Sequence, residues 1–208
     1  GIELIDEDKN NILVEISSGE SWNDFVVWAV ENNFGGVENL SLIPGNVGAA
    51  PIQNIGAYGV ELKDVFHSCK GIMLDTLNEF EFTKSDCEFN YRSSIFKSTL
   101  KNKTIITSVK LNLTKSKHNF NIDYKELKEN LLDTELTIKN ISDQVIQIRK
   151  SKLPDPKIFG NCGSFFKNPI INISRHESLL NKFPDIPFFK IDNNNYKISA
   201  AWLIDQSD

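Results

Sequence analysis

One stretch of the chain, residues 41 to 61, has a composition suited to contact with a ligand. It reads SLIPGNVGAAPIQNIGAYGVE, and it shows neither helical nor strand periodicity. Gly45, Gly48, Gly56 and Gly59 permit positive φ or close backbone approach, and unpaired backbone N–H groups in such loops bind anions or the edge of a heterocycle. A buried crossover loop whose glycines serve only tight turns is the alternative. The stretch matches neither the P-loop pattern nor the pattern GxGxxG.

Two side chains elsewhere in the chain can take part in a reaction, those of Arg92 and Ser164. The Arg92 guanidinium stays charged and can bind a carboxylate through two hydrogen bonds; a solvated arginine at a strand end is the alternative. Ser164 lies in the glycine turn NCGSFF with no histidine nearby in sequence, so a Ser-His-Asp triad is not indicated. A turn-forming serine is favoured by the residues alone, because serine can protonate only a strongly basic acceptor such as a carbanion.

The composition of the 208 residues is that of a soluble globular protein, with 40% apolar and 25% charged residues. The net charge of -5 argues against a nucleic-acid partner and leaves a small anionic substrate possible. Cys69, Cys87 and Cys162 lack metal-ligand spacing, so we expect reduced cysteines and no bound metal. No apolar run reaches the ~20 residues that span a bilayer, and no signal-peptide pattern is present, so we predict a cytoplasmic protein without membrane contact.

Apolar periodicity predicts the elements that must position these residues. Strands are predicted over residues 2–5, 12–16, 65–74, 79–83 and 104–113. Mixed strands and segregated helices indicate an α+β fold.

Helix starts are predicted from capping residues. Ser21 with Asp24 predicts a helix through Val30, and Ser142 is expected to open a helix that ends before Pro154. Further starts are expected at a capping box of Ser174 with Glu177 and at Ser199. Residues 116–125 are polar and weakly patterned, and the prolines and glycine from residue 154 to 160 mark a domain boundary.

Four motifs in order resemble one family over essentially the whole chain. They are PGNVGAAPIQNIGAYGVEL, FNYRSSIFK, KLPDPK with GNCGSFFKNP, and AAWLIDQ. This combination resembles UDP-N-acetylenolpyruvoylglucosamine reductase, a flavoenzyme family of bacterial peptidoglycan synthesis.

The resemblance implies a two-domain α+β fold. Residues 1–153 would be the later part of a vanillyl-alcohol-oxidase-type FAD-binding domain, and residues 154–208 the start of a smaller α+β substrate-binding domain. The chain begins with Gly1 and stops soon after Gln206, so we expect a fragment that lacks both the family's upstream pyrophosphate-binding loop and its C-terminal catalytic glutamate. Glu177 is not assigned to that role, and a monomer is expected.

The implied activity is NADPH-dependent reduction, through FAD, of the enolpyruvyl double bond of a UDP-sugar. Arg92 would stabilise the enolic intermediate and Ser164 would protonate it. Another FAD oxidoreductase of this fold, or a non-catalytic nucleotide-binding module, remains the alternative.

The binding residues that the resemblance implies fall into two sets. Cofactor contacts are assigned to Pro44, Gly45, Val47, Gly48, Ala49, Ala50, Gln53, Asn54, Ile55, Gly56, Ala57 and Gly59. Substrate contacts are assigned to Tyr91, Tyr124, Lys152 and Asn168. Phe189 stands where some relatives place a tyrosine, so one phosphate hydrogen bond is expected to be lost.

Overall fold

The computed structural model describes residues 1–155, 158–160 and 165–207. Ser164 and Cys162 lie outside these ranges. The chain divides into two units, Gly1–Leu153 and Pro154–Asp208. The assignment of a flavin role to the first and a substrate role to the second stays a prediction.

A five-stranded antiparallel sheet forms the first unit, in the order β1-β2-β7-β5-β6. The strands are β1 (Ile2–Glu7), β2 (Asn11–Ser17), β5 (Phe66–Met73), β6 (Glu79–Thr83) and β7 (Thr104–Thr114). The short pair β3 (Gly56–Ala57) and β4 (Val60–Glu61) lies within the glycine-rich stretch, and the one-turn helix α2 (Leu62–Val65) follows it. All five predicted strands are confirmed. Strand β2 buries every second side chain, and β7 does so from Val109 to Leu113.

Helix α1 (Trp22–Glu31) begins where the cap predicts. The Ser21 side chain accepts a hydrogen bond from the Asp24 N–H at 3.3 Å. The helix buries Trp22, Phe25, Val26 and Ala29, which lie on one face.

Two predicted helix starts are wrong. Helix α4 (Ile138–Lys152) begins four residues before Ser142, because Thr137 accepts from the Asn140 N–H and acts as the cap. The Ser142 hydroxyl instead lies in the core, 2.8 Å from the Ser41 hydroxyl. In the second unit, Asn172 and not Ser174 caps helix α5 (Ile173–Lys182).

A second hydrophobic cluster joins α4 to a helix that periodicity missed, α3 (Lys125–Asn130). Its buried members are Leu127, Leu131, Ile141, Val145 and Ile148. Tyr58 and Tyr124 pack against it. The α3–α4 pair therefore holds two tyrosines in fixed positions.

The second unit has a three-stranded antiparallel sheet in the order β8-β10-β9, which the sequence did not reveal. The elements are β8 (Ile170–Asn172), β9 (Phe188–Lys190), β10 (Asn195–Ile198), α5 and α6 (Ala200–Asp205). His176 on α5 is buried and stacks on Tyr196 with ring centroids 3.9 Å apart. Ser199 caps α6 through the Trp202 N–H, as predicted.

None of the helices in the described ranges is both long and apolar enough to cross a membrane. The same ranges contain no cluster of three or more His, Cys, Asp and Glu side chains that could hold a metal ion. Within the described residues, Cys69 and Cys87 are both buried and form no disulfide.

Candidate functional site

The glycine-rich stretch folds as a series of tight turns rather than as an open cradle of N–H groups. The N–H of Val47 donates to Glu20 O at 2.9 Å, and that of Gly48 donates to Ser18 O at 3.0 Å. The N–H groups of Ala49 and Ala50 also donate to backbone carbonyls. The expectation of unpaired N–H groups is therefore wrong for residues 47–50, because two of these groups donate to the segment that precedes α1 and two donate within the turn.

Most glycines of the stretch permit close packing of the chain against itself. A Cβ added at Gly48 would lie 2.4 Å from Ser18 Cβ, and one added at Gly56 would lie 2.9 Å from Arg92 Nη1. Gly45 differs, because it has φ +109° and no atom lies within 4 Å of the Cβ position. Close approach of a ligand is thus possible at Gly45, as a flat cofactor requires.

The predicted cofactor residues divide into an exposed and a buried group. Pro44, Gly45, Ala49, Gln53 and Gly59 are exposed, whereas the half-buried members are Gly48, Gly56 and Ala57. The buried members are Val47, Ala50, Asn54 and Ile55. The side chains of this buried group stabilise the loop, and a cofactor would reach the loop through its exposed residues and its backbone.

Asn54 is the residue that ties the loop to its surroundings. Its Nδ2 donates to Glu61 Oε2 at 2.9 Å and to Asn90 O at 3.1 Å, and its Oδ1 accepts from the Lys63 N–H at 3.0 Å. The side chain is fully buried and the backbone has φ +45°. The Asn54 side chain thus bonds to three protein groups and stabilises the loop, and its predicted contact with a cofactor stays a prediction.

Tyr91 and Arg92 form the two-residue tip of a tight turn. Asn90 and Ser93 exchange both backbone hydrogen bonds, at 3.0 and 3.1 Å. Arg92 has φ +50°, and its Nη2 donates to Gly56 O. Its guanidinium carbon lies 5.3 Å from the centroid of the Tyr91 ring. The structure thus places the predicted catalytic cation directly against the glycine-rich loop.

Two predicted substrate residues, Tyr124 and Lys152, lie together at the α3–α4 pair. The Lys152 ammonium is 5.9 Å from the centroid of the Tyr124 ring and forms an ion pair with Glu126. Tyr124 in turn packs edge-to-face on Tyr58, with centroids 4.9 Å apart. The hydrogen bond that the Lys152 ammonium donates to the Glu126 carboxylate raises the pKa of Lys152.

Arg149 is a residue of this cluster that sequence reasoning missed. Burial lowers the pKa of Arg149, whereas the charge interaction and the hydrogen bond with Tyr58 act to raise it. Burial likewise raises the pKa of Tyr58, whereas the charge of Arg149 opposes that rise. The Arg149 Nε atom is buried and has no hydrogen-bond partner among the residues that the structure describes. Its position three residues before Lys152 on a helix was the available signal, because that spacing places both cations on one face.

The remaining predicted residues belong to the second unit. Asn168 Oδ1 accepts from the Ala200 N–H at 2.9 Å, at the start of α6. Phe189 is exposed on β9, with the Lys197 ammonium 5.4 Å from its ring centroid. Ser164 lies outside the described residues, so its role rests on the sequence motif.

Comparison with known proteins gives a consistent result. Residues 2–76 match the model of a family described as an FAD binding domain. The UDP-N-acetylenolpyruvoylglucosamine reductase of Flavobacterium johnsoniae is 50% identical over 210 residues, covering 100% of this chain and 62% of that protein. By sequence, the chain is a homologue of these reductases. Those of Amoebophilus asiaticus and Neisseria gonorrhoeae are 49% and 45% identical, over 62% and 60% of their lengths.

A solved structure supports the fold. The UDP-N-acetylenolpyruvylglucosamine reductase of Thermus caldophilus superposes with a TM-score of 0.55 at 23% identity, covering 74% of this chain and 48% of that chain. The predicted α+β FAD-binding fold is confirmed. The chain spans about three fifths of the length of the curated reductases it matches.

Proposed function

We propose that this chain is part of an FAD-dependent, NADPH-consuming reductase that converts UDP-N-acetyl-3-O-(1-carboxyvinyl)glucosamine to UDP-N-acetylmuramate. The observation that carries the proposal is the hydrogen bond from Arg92 to Gly56 O. It joins the cation that the reaction needs to the loop that would hold the cofactor. The names of the similar proteins and the match to an FAD binding domain support it.

Arg92 is suited to the carboxylate of the enolpyruvyl group. A guanidinium has five N–H donors, and one Arg92 nitrogen is held by Gly56 O, which orients the others. FAD, when bound and reduced by NADPH, would supply the hydride to the enol ether. Negative charge then develops towards the substrate carboxylate, where a fixed guanidinium lowers the barrier most.

Proton delivery is assigned to Ser164 through the GNCGSFFKNP motif alone. An enolic intermediate is basic enough to accept a proton from a serine hydroxyl, which ordinary substrates are not. Tyr91, Tyr124, Lys152 and Asn168 are proposed to hold the UDP-sugar, with Lys152 on the diphosphate. The proposal includes a cytoplasmic location and a monomeric state.

The experiment is to record absorbance and fluorescence of the purified chain, first with FAD and then with the UDP-sugar. We expect bound yellow flavin whose spectrum shifts on addition of the UDP-sugar. Ala49→Leu, which enlarges an exposed position of the loop, should weaken flavin binding by about tenfold or more. Val27→Leu, on the exposed side of α1, is the matched control and should leave flavin binding unchanged.

The experiment is repeated with a chain extended at both ends to the length of the similar reductases. Turnover of the UDP-sugar with NADPH is expected in that chain. Absence of flavin binding in the extended chain would overturn the proposal. Flavin binding without any response to the UDP-sugar would instead support a different FAD oxidoreductase.

A further inference from the structure

The ion pair between Lys152 and Glu126 joins two helices across 26 positions of sequence. Lys152 is the last residue of α4, and Glu126 lies in the first turn of α3. Both helices are fixed by the same buried cluster, which includes Leu127 and Ile148. The cluster therefore holds the two helices that carry the pair at a fixed separation.

The pair is accessible to solvent. The side chains of Lys152 and Glu126 are 49% and 36% exposed. An exposed ion pair contributes little net free energy, so its partners can exchange for others at small cost. A ligand anion that approaches the Lys152 ammonium can thus replace the Glu126 carboxylate.

The side chains around Lys152 are better suited to a phosphate group than to the Glu126 carboxylate alone. Arg149 lies on the same face of α4, and its buried Nε has no hydrogen-bond partner in the part of the chain that the structure describes. The cluster holds two cations, Arg149 and Lys152, against the single carboxylate of Glu126. Tyr58 and Tyr124 add two hydroxyl groups beside these cations. Phosphate oxygens match such a set of donors better than one carboxylate does.

We propose that Glu126 is an internal competitor that occupies Lys152 in the free protein and that the diphosphate of the ligand must displace. This inference rests on the proposed function, which assigns Lys152 to the diphosphate. Glu126 keeps the lysine oriented over the Tyr124 ring while the site is empty. It also lowers the affinity for every diphosphate by the same factor, because each one must displace the same carboxylate.

The test measures binding of inorganic pyrophosphate and of UDP to the purified chain by titration calorimetry. Glu126→Gln removes the competing charge and keeps the side chain's shape. We expect it to tighten binding of both probes by about two- to fivefold, the range that an exposed ion pair predicts. Lys152→Ala should abolish the binding, which assigns the probes to this cluster.

Glu129→Gln is the matched control. Glu129 lies on the same helix, is 59% exposed and pairs with Lys125 at 3.9 Å. If its variant binds the probes as the parent chain does, the gain in Glu126→Gln is specific to the Lys152 pair. Glu126→Ala repeats the test with a second side chain, and both variants are checked for an unchanged melting temperature.

Equal affinities in the Glu126→Gln, Glu129→Gln and parent chains would overturn the inference. Absence of Lys152-dependent binding in all chains would also overturn it. Either result alongside intact flavin binding would leave the proposed function standing. If the extended chain fails to bind flavin but Glu126→Gln still binds pyrophosphate more tightly, the proposed function is overturned. The competition between Glu126 and the diphosphate would then still stand.

Discussion

Arg92 donates a hydrogen bond from its guanidinium to the carbonyl oxygen of Gly56, which lies 36 residues earlier in the chain. The contact closes a link between the tip of a tight turn and the glycine-rich loop. Asn54 reinforces the link, because its amide reaches the base of the same turn at Asn90 O. The loop and the turn are therefore expected to move as one unit.

Arg92→Lys is predicted to lower kcat of the extended chain by about 100-fold. This is the usual effect of removing one hydrogen-bond donor that stabilises the negative charge of the transition state. The lysine keeps the charge but cannot hold Gly56 O and a carboxylate together. Stopped-flow and steady-state kinetics with NADPH and the UDP-sugar measure this, and the flavin spectrum reports whether the cofactor is retained. Lys101→Ala, at an exposed position, is the control. Turnover within a few-fold of the parent would show that Arg92 is not the catalytic cation.

Asn54→Ala is predicted to destabilise the chain by about 2–4 kcal/mol. It would leave the Lys63 N–H, Glu61 and Asn90 O without a buried partner and place an alanine at φ +45°. Urea unfolding measures the loss, and Gln53→Ala, at an exposed neighbour, should change stability by less than about 0.5 kcal/mol. Similar stabilities of the two variants would contradict the role given to Asn54.

Gly48→Ala is predicted to destabilise the chain by about 1–3 kcal/mol, because its Cβ would lie 2.4 Å from Ser18 Cβ and force the loop away. Gly19→Ala is the matched control, since no atom lies within 4 Å of its Cβ position. Thermal unfolding of both variants provides the measurement. A stable Gly48→Ala chain with normal flavin binding would show that the loop tolerates the shift.

Glu15 is predicted to contribute stability that depends on pH. Burial raises its pKa, but hydrogen bonds from Ser108 and Lys70 outweigh burial, and the net pKa is lowered. As the pH falls, the Glu15 carboxylate of the unfolded chain takes up a proton first, at about pH 4.3. The stability that Glu15 contributes is then lost as the pH falls further, through its lower pKa in the folded chain. At neutral pH the contribution is fully present.

Glu15→Gln should flatten the acid limb of a plot of unfolding free energy against pH. Stability at pH 7 should fall by about 1 kcal/mol or less. Urea unfolding between pH 3 and 7 is the measurement, with Glu3→Gln on the exposed strand β1 as the control. An acid limb as steep as that of the parent chain would rule out this role for Glu15.

Local patterns in the sequence determined much of the fold. Alternation located all strands of the large sheet, and Ser21 and Ser199 marked two helix starts, because these signals depend on neighbours a few residues apart. The ordered motifs also indicated a resemblance to the reductases that comparison finds to be 50% and 49% identical to this chain. Helix α3 and the small sheet of the second unit were not predicted from the sequence, because short elements show only weak periodicity.

Only the tertiary structure decided how the candidate site is assembled. No local pattern indicates that Arg92 donates to Gly56 O, that the Asn54 amide hydrogen-bonds to protein groups, or that Lys152 pairs with Glu126. These contacts join residues that the folded backbone brings together. Ser142 makes the same point, because a serine that looked like a helix cap bonds Ser41 in the core. A side chain's type predicts what it can bind, whereas packing decides which partner it meets.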